Sequence, residues 1–316
     1  MKNKQFPPVF GLILGILAVS TASLLIRLAQ REAPSFVIAA GRLTLAALFL
    51  FPFALRNLKN ELRKISSKDI LLLGLAGLFL GFHFAAWITS LEYTSVASSV
   101  VIVTTAQLWV ALFSPILLKE RITRWVIIGL AVSLIGSVIV GLNSACVLQT
   151  GKLSCQPIIG NGSNEMAIGN ILALVGAFCT AGYLIIGRRV RNSLNLVSYN
   201  FVVYATAALV LVVLVIISGQ SPFGFSKVTY LLILGLAIVP QLIGHSSFNW
   251  ALKYLSAALV SIALLGEPIG TVLLSFTFLK ETPTIFEIVG GVLILLGIFI
   301  ASRREREKLE LISPAG

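Results

Sequence analysis

The sequence predicts an all-α polytopic membrane protein, ten transmembrane helices built as two inverted five-helix repeats. Three observations carry that expectation. The 316-residue chain is 57% hydrophobic and 11% charged, with a mean hydropathy of +0.98. That is too little charge to cover a soluble globule of this length. One stretch occurs twice without a gap: Tyr93 to Glu120 and Tyr254 to Glu281, offset by 161 residues, pair Ser95 with Ser256, Ala97 with Ala258 and Lys119 with Lys280. The same register continues outward, pairing Gly129 with Gly290, Gly136 with Gly297, Gly74 with Gly235, Ala47 with Ala208, Arg27 with Arg188 and Gly15 with Gly176. One register across nearly the whole chain marks a duplicated unit.

A hydrocarbon core of about 30 Å takes roughly 20 apolar residues at about 1.5 Å each. Ten runs meet or approach that length: 9–28, 34–55, 70–91, 94–118, 123–142, 167–187, 197–218, 228–251, 255–279 and 284–302. Gly and Pro inside them are tolerated because neighbouring helices satisfy the freed backbone groups. The first run follows Lys2 and Lys4 and contains Ala18-Val19-Ser20, which resembles a signal-peptidase site. Its repeat counterpart, Gly176 to Arg188, is internal, so the run is read as a span. The chain thus divides into a first five-helix repeat at 9–142, a mobile external loop at 143–166, a second repeat at 167–302 and a cytoplasmic tail at 303–316.

Lys and Arg in alternate connections set the orientation. Eighteen fall on one side, including Arg56, Lys59, Arg63, Lys64, Arg188, Arg189, Arg191 and the tail cluster Arg303, Arg304, Arg306 and Lys308. Five fall on the other, Arg27, Arg31, Lys152, Lys227 and Lys280, and Arg42, inside a span, completes the 24. Both termini are expected in the cytoplasm, with the bacterial plasma membrane as the expected location. Five helices per repeat is an odd number, so the second repeat enters the membrane inverted. Such halves are related by an axis in the membrane plane, the physical basis of alternating access.

The formal charge of +12 is spread in short clusters between apolar runs, which suits anionic lipid and excludes a nucleic-acid partner. Cys146 and Cys155 share the external loop and are a candidate disulfide pair, whereas Cys179 lies in an apolar run. No cysteine spacing matches a zinc or redox motif, so neither a metal nor a cofactor is expected. Asn161-Gly162-Ser163 matches a glycosylation sequon that matters only in a secretory pathway. An embedded enzyme would need a His-Glu-x-x-His, paired aspartates or a Gly-x-Ser-x-Gly, and none occurs; Asp69, at a helix start, is the sole aspartate.

Several short elements carry a family resemblance. Each fourth span ends in Leu-Lys-Glu, at 118–120 and 279–281; each fifth span holds a Gly-x6-Gly; and the ninth contains Gly266-Glu267-Pro268. Together with the repeat register they resemble the EamA branch of the drug/metabolite transporter superfamily, over roughly 9–302. The resemblance implies secondary transport, often export, of small organic molecules such as amino acids, other metabolites or drugs, through a cavity bounded by spans one to four and six to nine. The first repeat departs from the pattern. Ala106-Gln107 stands where the second has Glu267-Pro268, so the proline that would kink the fourth span there is absent.

Ionisable residues inside a membrane are costly and mark function by default. Glu267 lies about 18 Å into the ninth span, near the midplane. Desolvation disfavours a charged carboxylate, which makes Glu267 a candidate for proton coupling or for partnering an ammonium group. The structural alternative is hydrogen bonding beside a kink at Pro268. Arg42, about 12 Å deep, is a candidate to bind a substrate carboxylate or pair with Glu267; structurally it would cap a helix or snorkel to a lipid phosphate. His83 with Trp87, and Gln241 with His245 and Asn249, form i,i+4 polar stripes that must face protein or water. They either line a substrate path or bond neighbouring helices. Gln107 and Trp109 are candidates for the central wall by their repeat position beside Glu267-Pro268, while Ser95, Ser98, Ser99, Thr104 and Thr105 suit close packing.

The preferred reading is an alternating-access exporter, proton-coupled or exchanging, whose partners are a small-molecule substrate, protons and membrane lipid. The alternatives are a channel and a non-transporting membrane partner protein. Solute and oligomeric state stay open at this level.

Overall fold

A computed structural model describes residues 8–94, 99, 102–149, 152–155, 164–274, 277 and 284–312. Ser95, Ala97, Ser98, Lys280, Glu281 and the sequon at 161–163, singled out above, lie outside them. The first half comprises α1 (Pro8–Val19), α2 (Ala22–Ala29), α3 (Ser35–Ala54), a short α4 (Leu58–Leu62), α5 (Ser67–Tyr93), α6 (Ala106–Leu117) and α7 (Arg124–Ala145). A hairpin of β1 (Cys146–Gln149) and β2 (Lys152–Cys155) follows. The second half comprises α8 (Asn164–Val190), α9 (Leu196–Ile217), α10 (Lys227–Leu236) continuing through a π-helical segment (Ala237–His245) into α11 (Ser246–Ala251), then α12 (Ala257–Leu264), α13 (Glu267–Leu274) and α14 (Ile285–Ile312).

Among the described residues seven stretches are long and apolar enough to cross a membrane: Val9–Ala29, Ser35–Ala54, Ser67–Tyr93, Glu165–Val190, Leu196–Ile217, Lys227–Ala251 and Ala257–Leu274. Shorter apolar helices cover Ala106–Leu117, Arg124–Ile139 and Ile288–Arg303. The outer surface is apolar, with Leu71, Ile116, Leu209 and Ile216 each at least 65% exposed. Polar groups turn inward instead: Arg42, Gln241, Asn249 and Asn200 are all at most 2% exposed. That inversion of a soluble protein's pattern belongs to a multi-pass membrane protein.

A short two-stranded hairpin lies within the stretch 143–166 of an otherwise helical chain. Helix α7 continues through Ala145, and the next residues pair antiparallel with Cys146 and Cys155 as Cα partners. Val147, Leu148 and Leu153 have strand propensity on either side of Gly151, which is turn chemistry.

Three spans are interrupted where the sequence reading has continuous helices. Between α1 and α2, the Ser20 hydroxyl donates to Ile16 O at 2.7 Å and the Thr21 hydroxyl to Ala18 O at 2.8 Å. Hydroxyls bonding back to the preceding turn bend a helix. The ninth span breaks at Leu265 and Gly266, just ahead of Pro268, which sits in the first turn of α13, where a missing N–H costs little. The fourth span breaks at Thr104 and Thr105, the positions that the 161-residue offset aligns with Leu265 and Gly266. No proline is needed there: Thr105 turns back on Ile102 O, donating from its N–H at 3.0 Å and from its hydroxyl at 2.7 Å.

Helix α7 packs along α14 with almost no side chain between them. A Cβ added at Gly136 would stand 2.6 Å from Gly290 O, and one at Gly297 would stand 2.5 Å from Gly129 O. The Ser133 hydroxyl donates to Ile294 O at 3.3 Å across the same seam. Elsewhere α5 packs on α8, α9 on α3 and α5, α1 on the π segment and α11, and α2 on α10.

Polar ties gather at both ends of the bundle. At one end Glu120 accepts from Arg188 Nε at 2.7 Å and from Ala257 N at 3.2 Å, while Arg188 Nη1 donates to Leu252 O at 2.7 Å. Asp69 there accepts from its N-cap partner Ser66 and lies 3.7 Å from Arg189. At the other end Ser35 donates to Glu92 at 2.5 Å, and the Thr94 hydroxyl donates to Asn170 at 3.0 Å. Beside them Glu32 accepts from Ser226 N at 2.9 Å and the Thr229 hydroxyl at 2.7 Å.

Two predictions follow from this frame. Gly136→Val forces α7 and α14 apart, and its overpacking cost of about 1–3 kcal/mol should lower the melting temperature of the detergent-solubilised protein. An unchanged melting curve would show that the seam has room. The Ser226 N–H, then the Thr229 and Ser226 hydroxyls, hold the Glu32 carboxyl below the usual carboxylate range. A depressed folded pKa contributes stability above the unfolded value and loses it as pH falls through the folded one. Below about pH 4.3 the wild type should therefore lose thermal stability more steeply than Glu32→Gln; parallel profiles would dismiss the tie.

Candidate functional site

Where the interrupted helices meet, the bundle encloses a cavity of about 80 Å³. That holds a few water molecules or the head of a small solute. Val19 and Ala22 come from the first span, Arg42 from α3, and His83, Phe84 and Trp87 from α5. Val103, Thr104, Ala106 and Gln107 come from the fourth span, Thr180, Tyr183 and Leu184 from α8, His245 and Phe248 from the eighth span, and Leu264 and Glu267 from the ninth. The helix breaks put backbone turns at this level, so side chains from seven spans reach one point.

Arg42 is the centre of the polar wall. It is 1% exposed, so it does not snorkel to a lipid phosphate. Its Nε donates to Gln241 Oε1 at 2.8 Å, and the guanidinium carbon sits 4.2 Å from the Phe84 ring centroid. This ring contact and hydrogen bond fix the side chain while Nη1 and Nη2 have no hydrogen-bond partner. A guanidinium enclosed this way is expensive unless something meets its remaining N–H groups.

His83 shares the wall but is already engaged. Its Nδ1 lies 3.0 Å from Gly176 O and 2.6 Å from the Thr180 hydroxyl, and its ring stacks on Trp87 at 5.8 Å and 8°. Trp87 Nε1 and Gln107 Oε1 are buried without a hydrogen-bond partner. Glu267, partly exposed, opens the first turn of α13, with its backbone carbonyl accepting from the Ser20 hydroxyl at 2.9 Å. That bond locks the break of the first span against the break of the ninth.

The stripe Gln241, His245 and Asn249 does not act as one face. Pro240 interrupts the ladder, and the segment takes i→i+5 bonds, with Ser246 N donating to Gln241 O. The wider turn separates residues that an α-helix would stack. His245 reaches the cavity, Gln241 stands behind it holding Arg42, and Asn249 turns away to Tyr183 and to Asn200, the latter at 2.8 Å. Trp109 also misses the cavity, stacking on Phe113 at 6.4 Å and meeting Phe178 edge-on. Six of the nine candidates thus converge: Arg42, His83, Trp87, Gln107, His245 and Glu267.

Tyr183, Thr180, Phe84 and Phe248 line the cavity without having been singled out from the sequence. Thr180 and Tyr183 are an i,i+3 polar pair in an apolar run, a signal of the same kind as His83 and Trp87. Phe84 and Phe248 have no such signal. Arg191, expected among the cytoplasmic charges, is 2% exposed and donates to Asn249 O at 2.9 Å, closing the last turn of the eighth span.

The EamA-like transporter family model matches residues 7–142 and 167–303. This chain belongs to the EamA-like transporter family. Similar proteins include an uncharacterised transporter of Clostridium kluyveri, 25% identical over 258 residues, covering 81% of this chain and 79% of that protein. The uncharacterised transporter YyaM of Bacillus subtilis is 27% identical over 274 residues, covering 84% and 83%. One from Archaeoglobus fulgidus is 22% identical over 300 residues, covering 94% and 97%. A crystal structure of another protein shares the fold with a TM-score of 0.73 at 19% identity, covering 95% of this chain and 98% of that one.

The grip of Gln241 on Arg42 generates a prediction. Gln241→Leu removes a hydrogen bond to a buried charge, at a cost of about 1.5–3 kcal/mol, and should lower the melting temperature in detergent. Full stability in that variant would mean that the Phe84 ring alone suffices to hold Arg42.

Proposed function

We propose that this protein is a secondary transporter that exports small organic metabolites by alternating access between two inverted five-helix repeats. The observation that carries the reading is the cavity itself, lined by charged, polar and aromatic side chains from both halves of the chain, with polar ties gathered at the two ends of the bundle. In such a transporter each set breaks in turn, and a solute in the chamber meets one side of the membrane at a time.

The packing supports the inverted arrangement. Gly136 faces Gly290 and Gly297 faces Gly129, and the 161-residue offset exchanges these two contacts. The same offset exchanges the packing of the third span on the sixth with that of the eighth on the first. Reciprocal contacts of this kind are what a pseudo-twofold axis demands. The positive-inside count favours both termini in the cytoplasm of a bacterial plasma membrane.

Glu267 is the proposed coupling group. It is the carboxylate at the cavity, next to a helix break whose geometry differs between conformations in a transporter built on discontinuous helices. Counterflow into proteoliposomes preloaded with pooled amino acids, nucleobases or organic cations, with and without a pH gradient, tests the function. Saturable accumulation of one labelled class is the expected result, and an ohmic current without exchange would identify a channel instead. Glu267→Gln should lose most of the pH-driven component while inserting and folding normally; unchanged pH dependence removes Glu267 from coupling.

A further inference from the structure

We infer that the cavity recognises its solute through a carboxylate, gripped by the paired Nη1 and Nη2 of Arg42. The inference deepens the transporter reading and rests on it for the word solute, but its observations are independent of transport. Arg42 is 1% exposed and lines the cavity. Gln241 occupies Nε, and the guanidinium carbon sits 4.2 Å from the centroid of the Phe84 ring. What is left is the edge carrying the two terminal nitrogens, both buried and without a hydrogen-bond partner.

That edge selects chemistry. Two parallel N–H groups in one plane match the two oxygens of a carboxylate, and a charge-assisted pair of such bonds is about twice as strong as neutral ones. Trp87, whose Nε1 is also buried and unpartnered, lines the same cavity and offers a third donor. A carboxylate satisfies these groups and neutralises the guanidinium charge, which neither an organic cation nor an uncharged base does. The cavity volume of about 80 Å³ restricts the occupant to a compact acid. Gln107 Oε1, an unpartnered acceptor, and the Glu267 carboxylate share the cavity, so the rest of the molecule should carry a hydrogen-bond donor and no second negative charge. Aromatic rings of Phe84, Trp87, Tyr183 and Phe248 close the remaining walls. The solute class is therefore a small monocarboxylate bearing a donor group, with its acid end toward α3.

Binding tests this without transport. The purified full-length protein in lipid nanodiscs is titrated with alanine against alanine methyl ester and with lactate against methyl lactate, read by tryptophan fluorescence and by shift in melting temperature. At least one acid should bind at least about tenfold more tightly than its ester. Arg42→Lys, which keeps the charge but loses the fork, should weaken the acid by about tenfold and leave the ester where it was. Equal affinity for acid and ester, undiminished acid binding by a folded Arg42→Lys protein, or a folded wild type that binds neither acid each overturns the inference. Counterflow with the same purified protein reconstituted into proteoliposomes keeps the two readings separate. Acid binding without exchange would fell the transporter reading and leave this one standing, and exchange of a solute lacking a carboxylate would do the reverse.

Discussion

A guanidinium buried in an apolar bundle sets the terms for everything around it. Arg42 reaches neither bulk water nor a lipid headgroup, so its charge must be met from within, and the bundle supplies the Gln241 amide and the Phe84 ring. Gln241 can be that amide only because Pro240 widens the eighth span into a π segment, which turns Gln241 toward α3 while His245 faces the chamber. Tyr204 then donates to the Gln241 carbonyl at 3.3 Å, anchoring the irregular turn against α9. The charge, the irregular turn and the chamber are one construction, and none of the three makes sense in lipid without the other two.

The same logic governs the interrupted helices. Backbone groups freed inside a membrane must find partners in the protein, so breaks are affordable only where spans face one another. Here the breaks surround the cavity. Ser20 serves two of them, bonding back to Ile16 and across to the Glu267 carbonyl. At the far seam the demand is opposite: α7 and α14 are regular helices held so close that Gly129, Gly136 and Gly297 each face a backbone carbonyl of the other helix. The molecule thus combines a closely packed seam with a polar, irregular centre.

Much of the fold was legible because its signals are local. Apolar runs near 20 residues marked the seven described stretches long enough to cross a membrane, and the Gly-x6-Gly spacing at 129–136 and 290–297 marked the close contact that α7 and α14 make. Arg42 and Glu267 were conspicuous because charge inside an apolar run is costly wherever the chain goes. Less legible was anything that depends on a turn's exact pitch. Gln241, His245 and Asn249 read as one stripe at helical spacing, and the π segment sends them to three different environments. Thr104 and Thr105 read as packing residues, yet the fourth span breaks there, as the ninth does beside Pro268. Threonine permits such a break without demanding it, so the sequence carries no mark of which.

From the sequence alone came the solvent, the spans, the duplicated register and the short list of polar residues that a membrane interior cannot ignore. Each of these follows from transfer energies and spacing along the chain, which need no partner. The tertiary structure decided which of those residues meet. Arg42 faces the chamber rather than a lipid headgroup, Asn249 braces Tyr183 instead of lining the path, and Phe84 and Phe248 become walls of the site. Those outcomes hang on which helices are neighbours and how each is rotated, and rotation is set by packing and by hydrogen bonds between residues far apart in sequence.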